Sequence, residues 1–216
     1  APHATTAEGV VQSVYPVDPK LKSRLLLELL ARPGMDSVMV FTRTKFGADR
    51  LAGQLTQAGV AAAVMHGDRD MKERVRALDD FRDGKVRVLV ATDVAQRGLD
   101  VEGVSHVINY DVPQDPEGYV HRVGRTARAG HTGEAITLMS PGEIGELRQI
   151  EFHIGRALPR VELPGYGFSG ATEETVTVAA TPAPTSRRAV GGRPRMGSRA
   201  NAQLTPEELE KLLRVG

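Results

Sequence analysis

Short apolar runs recur along the chain, separated by stretches in which apolar side chains return every three or four positions. The runs VVQSVYPV (10–17), SVMVF (37–41), VAAAVMH (60–66), VRVLVAT (86–92), VSHVINY (104–110) and GEAITLMS (133–140) predict six strands. Between them, Asp18 and Pro19 form a helix start, with Leu21, Leu25, Leu26 and Leu29 on one face and a stop at Pro33-Gly34. Thr44 opens a second helix that runs through Leu51 and Leu55 to Gly59. Asp70 followed by Glu73 has the spacing of a capping box, with Val75, Leu78 and Phe81 along one face of the helix it starts. Asp115-Pro116 opens a further helix, which carries a run of arginines. Strands alternating with amphipathic helices imply an α/β fold, a doubly wound parallel sheet with helices on both faces.

The pattern fades after residue 164. Residues 165–203 are rich in Ala, Thr, Pro, Gly and Arg, and no acid occurs between Glu174 and Glu207. A flexible Arg-rich tail is expected there. Residues 204–216 add a short amphipathic helix, with Thr205 as its cap, Pro206 at its first position and Leu209, Leu212 and Leu213 as an apolar stripe.

Composition narrows the class. With 40% hydrophobic and 25% charged residues in 216 positions, the chain has material for one ordinary domain and a tail. Aromatics are only 4% and tryptophan is absent, so the core must be mainly aliphatic. The absence of cysteine excludes disulfides, thiolate metal sites and a cysteine nucleophile. No apolar run reaches the length of a membrane span and the start lacks a signal-peptide pattern, so a cytoplasmic protein without a membrane partner is expected. The chain begins with Ala rather than Met, which suggests a piece of a longer protein. Its net charge of +1 conceals an asymmetry: from Thr175 onward seven basic residues face three acidic ones, whereas the rest is slightly acidic. Such a tail suits a polyanionic partner.

Candidate chemistry lies where strands end, because ligands of doubly wound sheets sit beyond the carboxyl ends of the strands. The strand 86–92 ends at Thr92-Asp93 and leads to Arg97, Gly98 and Asp100. Threonine hydroxyl, glycine amide and guanidinium suit phosphates, and a carboxylate suits ribose hydroxyls. The strand 60–66 ends at His66-Gly67, with Arg74 a helical turn beyond the next helix start, and the strand 37–41 leads to Thr42, Thr44 and Lys45. In YVHRVGRTARAG (119–130), Arg122, Arg125 and Arg128 are three apart with His121 beside them. Continued as a helix, this stretch would put Arg125 and Arg128 on the face of His121, flanked by Arg122. Either the face is a solvated basic surface, or a polyanion sits against it.

In this order, the stretches VFTRTK, HGDRDMKER, VLVATDVAQRGLDV, VINYDVP and HRVGRTAR resemble motifs IV, IVa, V, the following strand motif and motif VI of the carboxy-terminal RecA-like domain of DEAD-box RNA helicases. The likeness runs from about residue 10 to 164, and VFTRTKFGADRLA with LPGYG suggests the bacterial RhlE-like branch. It implies a RecA-like fold, with residues 1–9 a linker from an N-terminal lobe and 10–164 the domain proper. It also implies roles. Arg125 and Arg128 would be arginine fingers toward the γ-phosphate of ATP, held with Mg²⁺ mainly by the N-terminal lobe. Asp100 would contact the ribose, and Arg97, Gly98, Arg122 and His121 would line the nucleotide cleft or organise the interface between lobes. Thr44, Gly67, Arg74, Thr92 and Asp93 would meet the RNA backbone without reading its sequence. Met71 departs from the glutamine of many members.

The chain has no G-x-x-x-x-G-K-[ST] and no Asp-Glu-Ala-Asp run. Alone it is therefore expected not to hydrolyse ATP. GYGFSG (165–170) matches a dinucleotide fingerprint in form only, since no strand closely precedes it and no helix is expected after it. His66 and His106 read as packed or capping residues, and no metal spacing occurs. An enzyme lobe is the leading reading; a stand-alone, non-catalytic RNA-binding or adaptor module is the other.

Overall fold

A computed structural model describes residues 9–93, 101, 103–126 and 133–168 of the chain. Its strands are β1 (Val10–Pro16), β2 (Val38–Phe41), β3 (Ala62–Met65), β4 (Val88–Ala91), β5 (His106–Asn109) and β6 (Gly133–Met139). Its helices are α1 (Lys22–Leu30), α2 (Lys45–Gln57), α3 (Met71–Arg82), α4 (Pro116–Val123) and α5 (Ile144–Ile154). The strands form one sheet in the order β1-β6-β5-β2-β4-β3, and every neighbouring pair is parallel.

Strand residues alternate between two apolar layers, as a sheet covered on both faces requires. Met39, Phe41, Leu89, Ala91 and Val107 pack with Leu78 and Phe81 of α3, Tyr119 and Val123 of α4, and Leu147 and Ile150 of α5. Val38, Val40, Val88, Val90 and Ile108 pack with Leu25 and Leu29 of α1 and with Ala48, Leu51 and Leu55 of α2. The fold is thus the doubly wound parallel α/β sheet, with helices on both faces, expected from the alternating pattern.

Helix starts follow the sequence closely. Asp70 accepts from the Glu73 amide at 2.8 Å while the Glu73 carboxylate accepts from the Asp70 amide at 3.1 Å, a full capping box. Asp115 caps α4 by accepting from the Gly118 amide at 2.6 Å. Asp18 caps a 3-10 turn, Pro19–Leu21, that leads into α1, so the regular helix begins later than expected.

Three features depart from the sequence reading. Helix α5 was not anticipated, although Ser140 and Glu143 form a capping box ahead of Ile144, Leu147 and Ile150. The packed body continues past residue 164: Tyr166 is buried, its carbonyl accepts from the Asp18 amide at 2.9 Å, and its hydroxyl donates to Glu28. Lastly, α4 ends at Val123 with Gly124 as its cap, so Arg125 lies beyond the helix instead of on its face. The expected tail and final helix lie outside the described residues.

Candidate nucleic-acid and nucleotide interface

The carboxyl ends of β2, β4 and β3 are neighbours in the sheet, with Phe41 level with Ala91 and Ala91 level with Met65. The segments that follow are therefore brought side by side: Thr42–Lys45, Thr92–Asp93 and His66–Arg69. The Thr42 amide donates to Ala91 O at 3.0 Å and the Thr92 amide to Met65 O at 3.2 Å, which prolongs the sheet by one step. Lys45 then spans from the β2 side to Asp68 on the β3 side, at 2.5 Å.

Thr44 is exposed and caps α2, its Oγ1 accepting from the Gly47 amide at 3.0 Å. Its hydroxyl proton remains to donate. Gly67 is exposed beside buried His66, whose Nε2 pairs with Asp49 Oδ2 at 3.0 Å. Asp49 also accepts from Arg69 at 2.8 Å. Burial opposes the charge of Asp49, yet the hydrogen bonds from Arg69 and His66 hold its carboxyl below the ordinary value. Arg74 stands half-buried in the second turn of α3.

Arg122 is the least expected of the site residues. It is 1% exposed, whereas the preceding His121 faces solvent. Its Nε and Nη2 donate to the two carboxylate oxygens of Asp93 at 2.7 and 2.6 Å. Its Nη1 donates to Asn109 Oδ1 at 3.0 Å and to Asp111 O at 3.1 Å. The guanidinium lies over the Phe41 ring, 4.9 Å from its centre. It is thus enclosed within the domain, and Asp93 is the carboxylate that neutralises it.

Arg125 differs. Its backbone is fixed on both sides, the amide donating to Arg122 O at 3.1 Å and the carbonyl accepting from Val104 N at 3.2 Å. Its side chain is half-exposed, with one long bond of 3.4 Å to Val101 O. The next residue, Thr126, anchors the turn by donating to Val104 O at 2.8 Å. A Cβ on Gly133 would overlap Thr126 Oγ1 and its carbonyl, so only glycine lets β6 pass so close to this turn. Arg97, Gly98, Asp100 and Arg128 lie outside the described residues.

A second network was missed in the sequence. Between β5 and β2 the following helices lie on opposite faces, α4 on one and α2 on the other, which is where a crevice opens in doubly wound folds. The crevice is closed from within. Asp111 accepts from the Arg43 amide at 2.8 Å, and Glu143 accepts from buried Lys22 at 2.6 Å, from the Val112 amide at 3.0 Å and from Ser140. Lys22 also donates to Tyr110 O at 2.8 Å. Burial works against the charge of Glu143, but the Lys22 ammonium and the Ser140 hydrogen bonds prevail and lower its carboxyl pKa. The signal in the sequence was the Ser140 to Glu143 capping box.

Among the described residues no group of three His, Asp or Glu could hold a metal ion, and no helix is long and apolar enough to cross a membrane.

A family model for the helicase conserved C-terminal domain matches residues 21–130. The DEAD-box ATP-dependent RNA helicase CshA of Geobacillus kaustophilus is 46% identical over 159 residues, 74% of this chain and 34% of that protein. The chain therefore spans about a third of the length of the curated relatives it matches. Among solved structures, the E. coli DEAD-box protein SrmB bound to regulator of ribonuclease activity A superposes with a TM-score of 0.72 at 33% identity, covering 78% of this chain and 99% of that one. S. cerevisiae Dbp5 bound to RNA and ADP BeF3 gives 0.67 at 34% identity, covering 73% of this chain and 42% of that one. With the strand-end segments and the arginine turn arranged as described, the chain belongs to the helicase conserved C-terminal domain family and is a RecA-like domain of the DEAD-box RNA helicase type.

Proposed function

We propose that this chain is the C-terminal motor lobe of an ATP-dependent RNA helicase, gripping the sugar-phosphate backbone with its strand ends and offering arginine to ATP held by an N-terminal lobe. The observation that carries this reading is the convergence of Thr44, Gly67 and Thr92 on three adjacent strand ends; a half-exposed Arg125, its backbone pinned against the residues that lead into β5, supplies the guanidinium separately. A hydroxyl, a bare amide and a guanidinium so placed suit an extended phosphate chain better than a base edge, which accounts for binding without sequence preference. That a relative of 34% identity is bound to RNA and ADP BeF3 supports the assignment of both ligand classes.

ATP brings a γ-phosphoryl group whose transfer develops charge on its equatorial oxygens, with Mg²⁺ held mainly by the other lobe. The donor set here fits the anion. Arg125 has guanidinium N–H groups beyond its one long bond, and the family resemblance assigns Arg128 as second finger and Asp100 as ribose contact. Arginine fingers contribute on the order of 10³-fold or more in rate where measured in other NTPases. The Arg-rich tail from Thr175 supplies a salt-sensitive tether to RNA. Without a Walker segment the chain alone hydrolyses no ATP.

The test is RNA-stimulated ATP turnover by the full-length protein, compared with the Arg125→Ala, Arg128→Ala pair. Loss of turnover with RNA binding retained is expected. Undiminished turnover in the pair would remove the finger role, and absence of turnover in the wild type, with tight RNA binding by this chain alone, would favour the adaptor module.

A further inference from the structure

We infer that Arg122 is a positioning residue that couples the two halves of the proposed site, locking the RNA-facing end of β4 to the turn that carries Arg125. The inference rests on the functional reading above and goes beyond it, since Arg122 and Asp93 then serve each other instead of touching nucleotide or RNA.

The geometry carries the argument. The guanidinium sits over Phe41, the last residue of the central strand β2. One of its edges takes both oxygens of Asp93, next to Thr92 at the end of β4. Its remaining nitrogen takes Asn109 and Asp111 at the end of β5. One side chain thus joins three adjacent strand ends. Its own backbone carbonyl accepts from the Arg125 amide at 3.1 Å, so the same residue sets where the proposed finger begins.

Stability alone does not favour such a pair, because apolar side chains of similar volume often serve a buried site as well or better. A two-pronged fork adds direction: it fixes both the distance and the plane of the Asp93 carboxylate. A displacement of Asp93 at the end of β4 then acts on the guanidinium plane and, along the Arg122 side chain, on the backbone carbonyl that holds Arg125. Lysine retains the charge but not the fork, so Arg122→Lys separates the two contributions.

The experiment uses the full-length protein and measures RNA-stimulated turnover, KM for ATP and thermal midpoint for Arg122→Lys, Asp93→Asn and the double variant. Asn109→Ala, which removes one acceptor from Arg122, provides a milder perturbation should the others fail to fold. Positioning predicts a fall in RNA-stimulated kcat of up to about 10²-fold, as small misplacements of catalytic groups give. KM for ATP should stay within about twofold, and the double variant should be no worse than the worse single one. A rise in KM that tracks the loss would make Arg122 a nucleotide ligand and overturn the inference. So would a loss explained wholly by the unfolded fraction, or single effects that multiply. A wild type without RNA-stimulated turnover would instead sink the functional reading, whereas an active wild type with unimpaired variants would sink the inference alone.

Discussion

Lys22 and Glu143, 121 positions apart in the chain, form an ion pair of 2.6 Å with side-chain exposures of only 5% and 8%. It fastens the start of α1 to the capping turn of α5, and it fills the crevice between β5 and β2 with protein groups.

Breaking this pair from one side should be costly. Lys22→Met leaves the buried Glu143 carboxylate to the Val112 and Ser140 amides, the Ser140 hydroxyl and the more distant Arg43 guanidinium at 3.6 Å, a loss of about 3 kcal/mol, the low end for breaking a buried pair from one side. Replacing both partners by apolar residues should recover much of that. Urea unfolding of the single and double variants checks it; a single-variant loss below about 1 kcal/mol would contradict the burial argument.

Stability should fall in acid. Glu143 has its carboxyl pKa lowered from 4.5 despite burial, through Lys22 and Ser140. Glu134 is lowered likewise, chiefly by its hydrogen bond with His106. A carboxylate with a depressed folded-state pKa contributes stability that is complete above the unfolded value and is lost as pH falls through the folded one. Stability should therefore be flat near neutrality and decline below about pH 4.5, and Glu143→Gln should lower the plateau while shallowing the decline. Thermal midpoints measured from pH 7 to 3 would show this.

The observed cap of Thr44 and its proposed contact with RNA can be separated. Thr44→Ala removes the α2 cap and should cost about 1 kcal/mol while weakening RNA binding. Thr44→Ser should restore both. Thr44→Asp should restore the cap yet repel phosphate, so its melting temperature should match wild type while its RNA affinity, measured by anisotropy, stays low.

Gly133→Ala should act on the site from behind. The added methyl drives into Thr126, displacing the turn that positions Arg125, at a cost of about 1–3 kcal/mol for overpacking. Turnover by the full-length protein should fall beyond what the lost stability explains. Turnover in proportion to folded protein would mean that the turn yields without consequence.

The strands were legible because each is a short apolar run, and parallel strands buried on both faces need no alternation to be recognised. Helix starts were legible where a side chain caps within three residues, as at Asp70 and Asp115. The extent of α4 was not. Arg122, Arg125 and Arg128 keep helical spacing, but Gly124 and the tertiary bonds of Thr126 end the helix early. The partner of Arg122 was not legible either: spacing gives the face of a side chain but not what it meets, and Asp93 lies 29 positions away. Residues such as Lys22 and Glu143, whose meaning depends on a contact across the whole chain, left only a local trace. Tyr166 likewise belongs to the core through Asp18 and Glu28, not through any periodicity around it.

The sheet order has a consequence for how the chain is made. Of the six strands of this sheet β1 is made first, yet its ladder partner is β6, paired along seven positions from Val10 with Gly133 to Pro16 with Met139. Its outer side waits longer still, for the bridge between Val14 and Arg160. Closing so wide a loop carries an entropic cost that local contacts do not offset, so assembly of the sheet is delayed until synthesis is far advanced. Until then β1 has no ladder partner, and a nascent chain stalled before Gly133 carries an open strand edge of the kind that invites non-native pairing.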